Sequence, residues 1–201
     1  MPGKLYLIPS ELSEDNVSVL PQSVLDIVTA LDEFIVENEK TARHFLKAIG
    51  IKAPLQSLRL HSLNEHTDLK EVSKLIAPLL AGKNLGLLSE AGAPAVSDPG
   101  SELVRLAHEK GIEIIPLIGP SSIIMALMAS GFNGQSFSFA GYLPKERNER
   151  IKKLKELEKL VLSKNQTQIF IETPYRNQHL LEDMLATLDK KTSICIACNI
   201  T

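Results

Sequence analysis

Short apolar runs alternate with stretches of helical periodicity along almost the whole chain. Leu5-Tyr6-Leu7-Ile8 is a first run, stopped by Pro9, and predicts a strand. Val24, Ile27, Val28 and Leu31 then share one face of a helix over about 23–31. Phe34-Ile35-Val36 predicts a second strand. Ala42, Phe45, Leu46 and Ile49 follow the i, i+3, i+4, i+7 rule of a helix that stops at Gly50, a residue suited to the left-handed turn past a helix end. A third strand over 57–61 and a helix over 69–80 come next. The run Leu85-Gly86-Leu87-Leu88 predicts a buried strand, Leu103, Leu106 and Ala107 a helix through His108, and 112–118 another strand.

The second half keeps the alternation. Ser121 reads as the cap of an apolar helix over 123–128, and 137–140 as a strand. A long charged helix over about 145–163 turns Ile151, Leu154, Leu157 and Leu160 inward. After a strand over 167–171, Thr173 with Pro174 marks a helix start. Leu180, Leu181, Met184, Leu185 and Leu188 then follow helical spacing. Such alternation predicts an α/β fold, with helices on both faces of mainly parallel strands. Pro116, Gly119, Pro120, Gly131 and Gly134 cluster between the halves, dividing the chain into an N-terminal α/β domain, 1–118, and a C-terminal one, 119–201. The chain stops at Thr201 just after an expected strand over 193–198, which predicts a shortened second sheet.

The segment from Ser89 to Gly100 changes the picture from architecture to chemistry. It carries Glu90, two glycines and two prolines between a strand end and a helix start. Gly92 and Gly100 permit a left-handed backbone and close approach of a ligand, and ligands of open α/β sheets bind at strand C-terminal ends. The same residues also make an ordinary turn. The loop is neither a dinucleotide fingerprint, since G-x-G-x-x-G is missing, nor a P-loop, since no Gly-Lys-Ser/Thr follows.

Composition narrows the class. Of 201 residues, 44% are hydrophobic and 23% charged, as in ordinary globular domains, and Trp is absent, so the core must be aliphatic. No apolar run approaches the ~20 residues of a membrane span. The N-terminus has no signal-peptide layout, which makes the cytoplasm the expected location. A net charge of −2 argues against a basic surface all over but leaves local patches open. One such patch is 145–155, with six basic residues against two acids. It reads either as the solvated face of an amphipathic helix or as a phosphate-binding surface. Cys195 and Cys198 form a C-x-x-C, but three residues apart on a strand they point to opposite faces and read as core thiols rather than a redox pair or metal site.

Several motifs, taken in order, resemble one family. Ser89-Glu90-Ala91-Gly92-Ala93-Pro94 with Ser97-Asp98-Pro99-Gly100 resembles the Ser-Asp-Ala-Gly-Thr-Pro…Ser-Asp-Pro-Gly signature of the tetrapyrrole methylase superfamily. Ile118-Gly119-Pro120-Ser121-Ser122, Ser130-Gly131-Phe132, Gly141-Tyr142-Leu143-Pro144 and Glu172-Thr173-Pro174-Tyr175-Arg176 resemble further family motifs. The branch most similar contains small-subunit rRNA cytidine 2′-O-ribose methyltransferases.

The resemblance implies a homodimeric methyltransferase that uses S-adenosylmethionine and no metal, the cofactor lying in a cleft between two α/β domains. Its cofactor contacts carry over to Pro9, to Glu90, Ala91, Gly92, Ala93 and Pro94, to Ser121 and Ser122, and to Glu172 and Thr173. RNA is the implied partner, with Lys145, Arg147, Arg150 and Arg176 as substrate-binding residues. Arg176 also suits an ion pair with Glu172. Glu37, His61 and Glu65 are candidate bases for a ribose hydroxyl, His61 alone having an ordinary pKa near neutrality. They also read as surface residues or caps. Departures fall on the first loop, where 8–14 lacks the glycine of the branch, and on Glu37-Asn38-Glu39-Lys40, which stands for Glu-Asp-Thr-Arg. Glu90 stands for Asp. A tetrapyrrole-like or other small-molecule acceptor is the alternative within the class, and a non-catalytic cofactor-binding module the alternative outside it.

Overall fold

The computed structural model describes residues 1–13, 16–64 and 66–200. It divides into two compact units, Met1–Ser121 and Ser122–Ile200.

In the first unit the apolar runs become β1 (Lys4–Ile8), β2 (Glu33–Val36), β3 (Arg59–Ser62), β4 (Leu85–Leu88) and β5 (Glu113–Pro116). They form one fully parallel sheet in the order β3-β2-β4-β1-β5. The connecting helices are α1 (Gln22–Val28), α2 (Glu39–Ala48), α3 (Leu69–Leu75), α4 (Ala77–Leu80) and α5 (Gly100–Glu109). From β1 to β3 the chain steps one way across the sheet, and from β3 to β5 it steps back. Right-handed crossovers therefore put α1 and α2 on one face and α3, α4 and α5 on the other. Two aliphatic layers follow. Ile8, Phe34, Val36 and Leu88 pack with Val24, Val28, Phe45 and Leu46 on the first face. Leu5, Ile35, Leu85 and Leu87 pack with Val72, Leu79, Leu103 and Ala107 on the second.

β4 lies in the middle, and both of its faces are closely packed. A Cβ placed on Gly86 would stand 2.4 Å from Ile8 Cδ1 and 2.7 Å from Phe34 Cδ1. At the start of α5, a Cβ on Gly100 would stand 2.8 Å from Leu87 Cδ2. The expected left-handed backbone at Gly100 is not found; close approach of helix to strand is what excludes a side chain there.

The single helix expected over 69–80 is broken at Ile76. Pro78 has no N–H to donate into the preceding turn, so a continuous helix would lose that bond. The third strand begins two residues later than expected, because Leu55–Ser57 forms a 3₁₀ turn.

The second unit contains β6 (Phe137–Tyr142) and β7 (Thr167–Ile171), paired in parallel, with α6 (Ser122–Ser130), α7 (Arg147–Lys164) and α8 (Asn177–Thr187). Its core is Leu143, Leu154, Leu157, Leu180 and Met184. α8 turns Asp183 inward beside Leu180 and Met184, while Leu181 and Leu185, expected inside, are exposed. The reason is electrostatic. Arg150 is buried and gives Asp183 Oδ2 two hydrogen bonds, from Nε at 2.9 Å and Nη2 at 2.6 Å; its Nη1 donates to the carbonyls of Lys145 and Pro144. Arg147, 70% exposed, donates from Nε to Asp183 Oδ1 at 2.9 Å.

The strand expected over 193–198 does not form. Cys195 and Cys198 are exposed and free rather than core thiols. The alternation of Ile194 and Ile196 suits a strand, but a strand needs a ladder partner for its N–H and C=O groups, and among the described residues this segment pairs with none.

Two outcomes follow from this packing. Gly86→Val should overpack the central strand and destabilise the protein by about 1–3 kcal/mol or more in urea unfolding. Arg150→Met should cost about 3–5 kcal/mol by leaving the buried Asp183 carboxylate with one exposed partner, whereas Arg147→Ala should shift the urea midpoint little.

Candidate functional site

The strand order reverses direction around β4, so the loops after β1, β2 and β4 diverge to opposite faces and leave a crevice at their C-terminal ends. A cleft of about 490 Å³ occupies that place. Its walls are Ser10 to Ser13 after β1, Val36 to Phe45 through the first turns of α2, and Leu88 to Ala91 after β4.

Each wall has a local reason. Asn38 caps α2, its Oδ1 accepting the Lys40 N–H at 2.9 Å. Pro9 is fully buried, and a Cβ on Gly119 would stand 2.3 Å from its ring, so the loop after β5 packs down on the loop after β1. Ser10 and Gly92 then exchange backbone hydrogen bonds: Ser10 N–H to Gly92 C=O at 3.0 Å, and Gly92 N–H to Ser10 C=O at 3.2 Å. The Ser10 hydroxyl donates to the Ser89 carbonyl, and the Ser89 hydroxyl to the Gly92 carbonyl, each at 3.2 Å. Gly92 is buried at φ +73°, and a Cβ there would meet Leu12 Cδ2 at 3.0 Å, so a side chain is disfavoured by both backbone and space.

Beyond the bridge, Ala95 and Ser97 hold left-handed backbones at φ 64° and 62°. Asp98 secures them, accepting the Ala95 N–H at 2.9 Å and the Gly100 N–H at 2.8 Å. Burial pushes the Asp98 carboxyl above its ordinary value in spite of these two donors.

The expected site residues fall into separate groups. Glu37, Glu90 and Ala91 line the cleft, with Pro9, Gly92, Ala93 and Pro94 in the loops that carry its walls. Glu90 Oε1 accepts a hydrogen bond from Thr41 Oγ1 at 3.2 Å, which joins the β4 loop to α2. His61 lies elsewhere. It sits in β3 with Nε2 2.9 Å from Glu33 Oε1, near the start of β2 rather than its end. Glu65 lies outside the described residues. Ser121 ends the first unit and Ser122 opens α6.

In the second unit, Glu172 and Thr173 follow β7. Glu172 Oε1 accepts the Thr173 N–H at 2.8 Å, and its Oε2 pairs with Arg176. The Thr173 side chain caps no helix; Pro174–Arg176 is a 3₁₀ turn ahead of α8. Lys145 is exposed just before α7, Arg147 reaches Asp183, and Arg150 is enclosed by Asp183 and two carbonyls. The local positive charge at 145–155 is thereby partly neutralised by an acid 33 residues further on.

Sequence reasoning missed Thr41, His44 and Glu11 on the cleft wall. The signal was present in α2, where Lys40, Thr41 and His44 share the face opposite Ala42, Phe45 and Leu46. Glu11 Oε2 is buried without a hydrogen-bond partner among the described residues. Among those residues no group of three or more His, Cys, Asp or Glu could hold a metal ion, and no helix is long and apolar enough to cross a membrane.

A switch-point cleft on a parallel sheet is where open α/β proteins bind their ligands. The chain belongs to the family of tetrapyrrole (corrin/porphyrin) methylases, which it matches over residues 17–201. It is 34% identical over 197 residues to a ribosomal RNA small subunit methyltransferase I of Vibrio cholerae, covering 98% of this chain and 65% of the relative. It is 33% identical over 199 residues to the protein of the same name from Escherichia coli O157:H7, covering 99% and 66%. The chain thus spans slightly less than two thirds of these curated relatives. Its fold is similar to the X-ray structure of a cobalamin biosynthetic enzyme, cobalt-precorrin-4 methyltransferase, with a TM-score of 0.59 and 15% identity over 92% of this chain and 74% of that one.

The Glu33 cluster yields a pH dependence. Burial alone would raise the Glu33 carboxyl, but the His61 hydrogen bond and the charges of Arg59 and Lys83 outweigh it and hold it below the usual carboxylate range. Its contribution to stability is therefore full above the ordinary glutamate pKa and is lost as pH falls through the depressed value. Urea midpoints measured from about pH 6 down to about pH 3 should fall more steeply for the parent protein than for Glu33→Gln.

Proposed function

We propose that this chain is an S-adenosylmethionine-dependent methyltransferase acting on the ribose 2′-hydroxyl of small-subunit ribosomal RNA, and therefore a cytoplasmic protein working as the homodimer its family resemblance implies. The observation that carries the reading is the identity of about a third, over nearly the whole chain, with relatives named for methylating that RNA. The cleft supports it. About 490 Å³ lies within the range of small-molecule and cofactor sites. The residues fit the cofactor: Ser13 and the backbone at Ser89 to Ala91 line the cleft, and a Cβ on the adjoining Gly92 would crowd Leu12 of its wall.

When bound, S-adenosylmethionine supplies an electrophilic methyl group on sulfur. The chain's own residues supply position and proton transfer. Ser89, Glu90 and Ala91 hold the cofactor at the end of β4, and Thr41 keeps the Glu90 carboxylate turned toward α2. Glu37 takes the proton from the acceptor hydroxyl onto a carboxylate oxygen, because it lines the cleft that His61 does not. Alignment of hydroxyl and methyl supplies much of the rate.

The test is calorimetry with S-adenosylmethionine, followed by transfer of a labelled methyl group to small-subunit RNA or to small acceptors. Binding should be seen, and label should enter RNA at linkages that become resistant to alkali, since alkaline cleavage uses the 2′-oxygen as nucleophile. Label in a small acceptor alone would favour the small-molecule reading, and binding without transfer the non-catalytic one. Glu37→Gln should lower kcat by about 10²- to 10⁴-fold with cofactor affinity retained.

A further inference from the structure

The chain contains three tyrosines and no tryptophan. Tyr6 packs against the core in β1. The other two are exposed, Tyr142 by 54% and Tyr175 by 78%. Both stand at the C-terminal edge of the β6–β7 pair. Tyr142 is the last residue of β6, in register with Ile171 at the end of β7. Tyr175 is the middle residue of the 3₁₀ turn that follows β7.

Their supports are fixed to each other. Arg176 Nη2 donates to the Leu143 carbonyl at 2.9 Å and also pairs with Glu172, whose other oxygen accepts the Thr173 N–H. The residue after Tyr142 and the residue after Tyr175 are thus joined through one guanidinium. Two aromatic rings project to solvent from a braced edge, and each has only two side-chain torsions to order on contact.

The charge nearby points to the occupant. Lys145 is exposed three residues beyond Tyr142, just before α7. Aromatic faces beside ammonium groups match unpaired bases beside phosphates; bases within a duplex are already stacked and offer no free face. We propose that Tyr142 and Tyr175 form a stacking platform for unpaired bases of the RNA substrate, with Lys145 meeting a phosphate at its edge. The platform rests on the reading of RNA as the substrate.

The test uses the whole protein. With no tryptophan present, tyrosine emission is directly visible, and Tyr6→Phe removes the background. Short single-stranded RNA of small-subunit sequence should quench the emission, and the same sequence as duplex should quench it much less. Labelled-RNA anisotropy should show affinity falling by about 5- to 150-fold for Tyr142→Ala or Tyr175→Ala. Tyr142→Phe and Tyr175→Phe should retain affinity, because stacking does not use the hydroxyl. Circular dichroism and the urea midpoint check that the alanine variants fold.

Unchanged affinity in both alanine variants, with RNA still bound and methylated by the parent, overturns the platform and leaves the substrate reading standing. Quenching by S-adenosylmethionine alone, with none by RNA, overturns it in favour of the cofactor's adenine. Quenching that grows with protein concentration in the absence of RNA overturns it in favour of a second copy of the chain. A parent protein that binds no RNA overturns both the platform and the substrate reading.

Discussion

The reciprocal backbone pair between Ser10 and Gly92 is the constraint on which the site depends. Strands β1 and β4 are neighbours in the sheet, but their chains leave in opposite directions, toward α1 and toward α5. Two backbone hydrogen bonds and the Ser10 hydroxyl pin the departing loops together just past the sheet edge, and the Ser89 hydroxyl braces the β4 loop internally. All of these groups are buried, and an unpaired backbone amide in that position would cost about 1–3 kcal/mol. The pin holds Ser89 to Ala91 along one wall of the cleft and Ser10 to Ser13 along another. Gly92 suits the arrangement because its backbone is left-handed and Leu12 lies against it.

The two units solve a second problem in the same way. Each has a buried carboxylate, Glu33 or Asp183, held by hydrogen-bonding and cationic side chains from other elements. Burial works against the charge in both, and these partners overcome it, so both carboxyls stay below their usual range. The side chains that do this are then committed. His61 is tied to Glu33 across two strands, and Arg150 to Asp183 across two helices. Neither is free to serve a substrate, which is why Glu37 is the proposed proton acceptor and Lys145 the proposed phosphate contact.

Much of the fold was legible because its determinants are local. The aliphatic strand runs and the Ala42, Phe45, Leu46 face of α2 fixed the α/β alternation, and the loop after β4 announced itself by its small residues and prolines. The rest was set by partners distant in sequence. His61 and Glu33 are 28 residues apart, and Arg150 and Asp183 are 33 apart. Hydropathy scores such an arginine as surface, although its guanidinium makes four hydrogen bonds inside. Cys195 and Cys198 failed for the complementary reason. Ile194 and Ile196 alternate as a strand does, but strand formation depends on a pairing partner that alternation does not report. Thr41 and His44 needed only the polar face of α2 to be read as a cleft wall, and that became evident once the sheet order set α2 beside the end of β4.

On the proposed function, the pinned loops at the ends of β1 and β4 hold the cofactor. Hydrogen–deuterium exchange with and without S-adenosylmethionine measures this directly, because amides that contact or are shielded by a ligand exchange more slowly. Saturating S-adenosylmethionine should slow exchange in peptides covering both 9–13 and 88–95. Cofactor binding that leaves both segments unchanged, with protection confined to other parts of the chain, would contradict this placement.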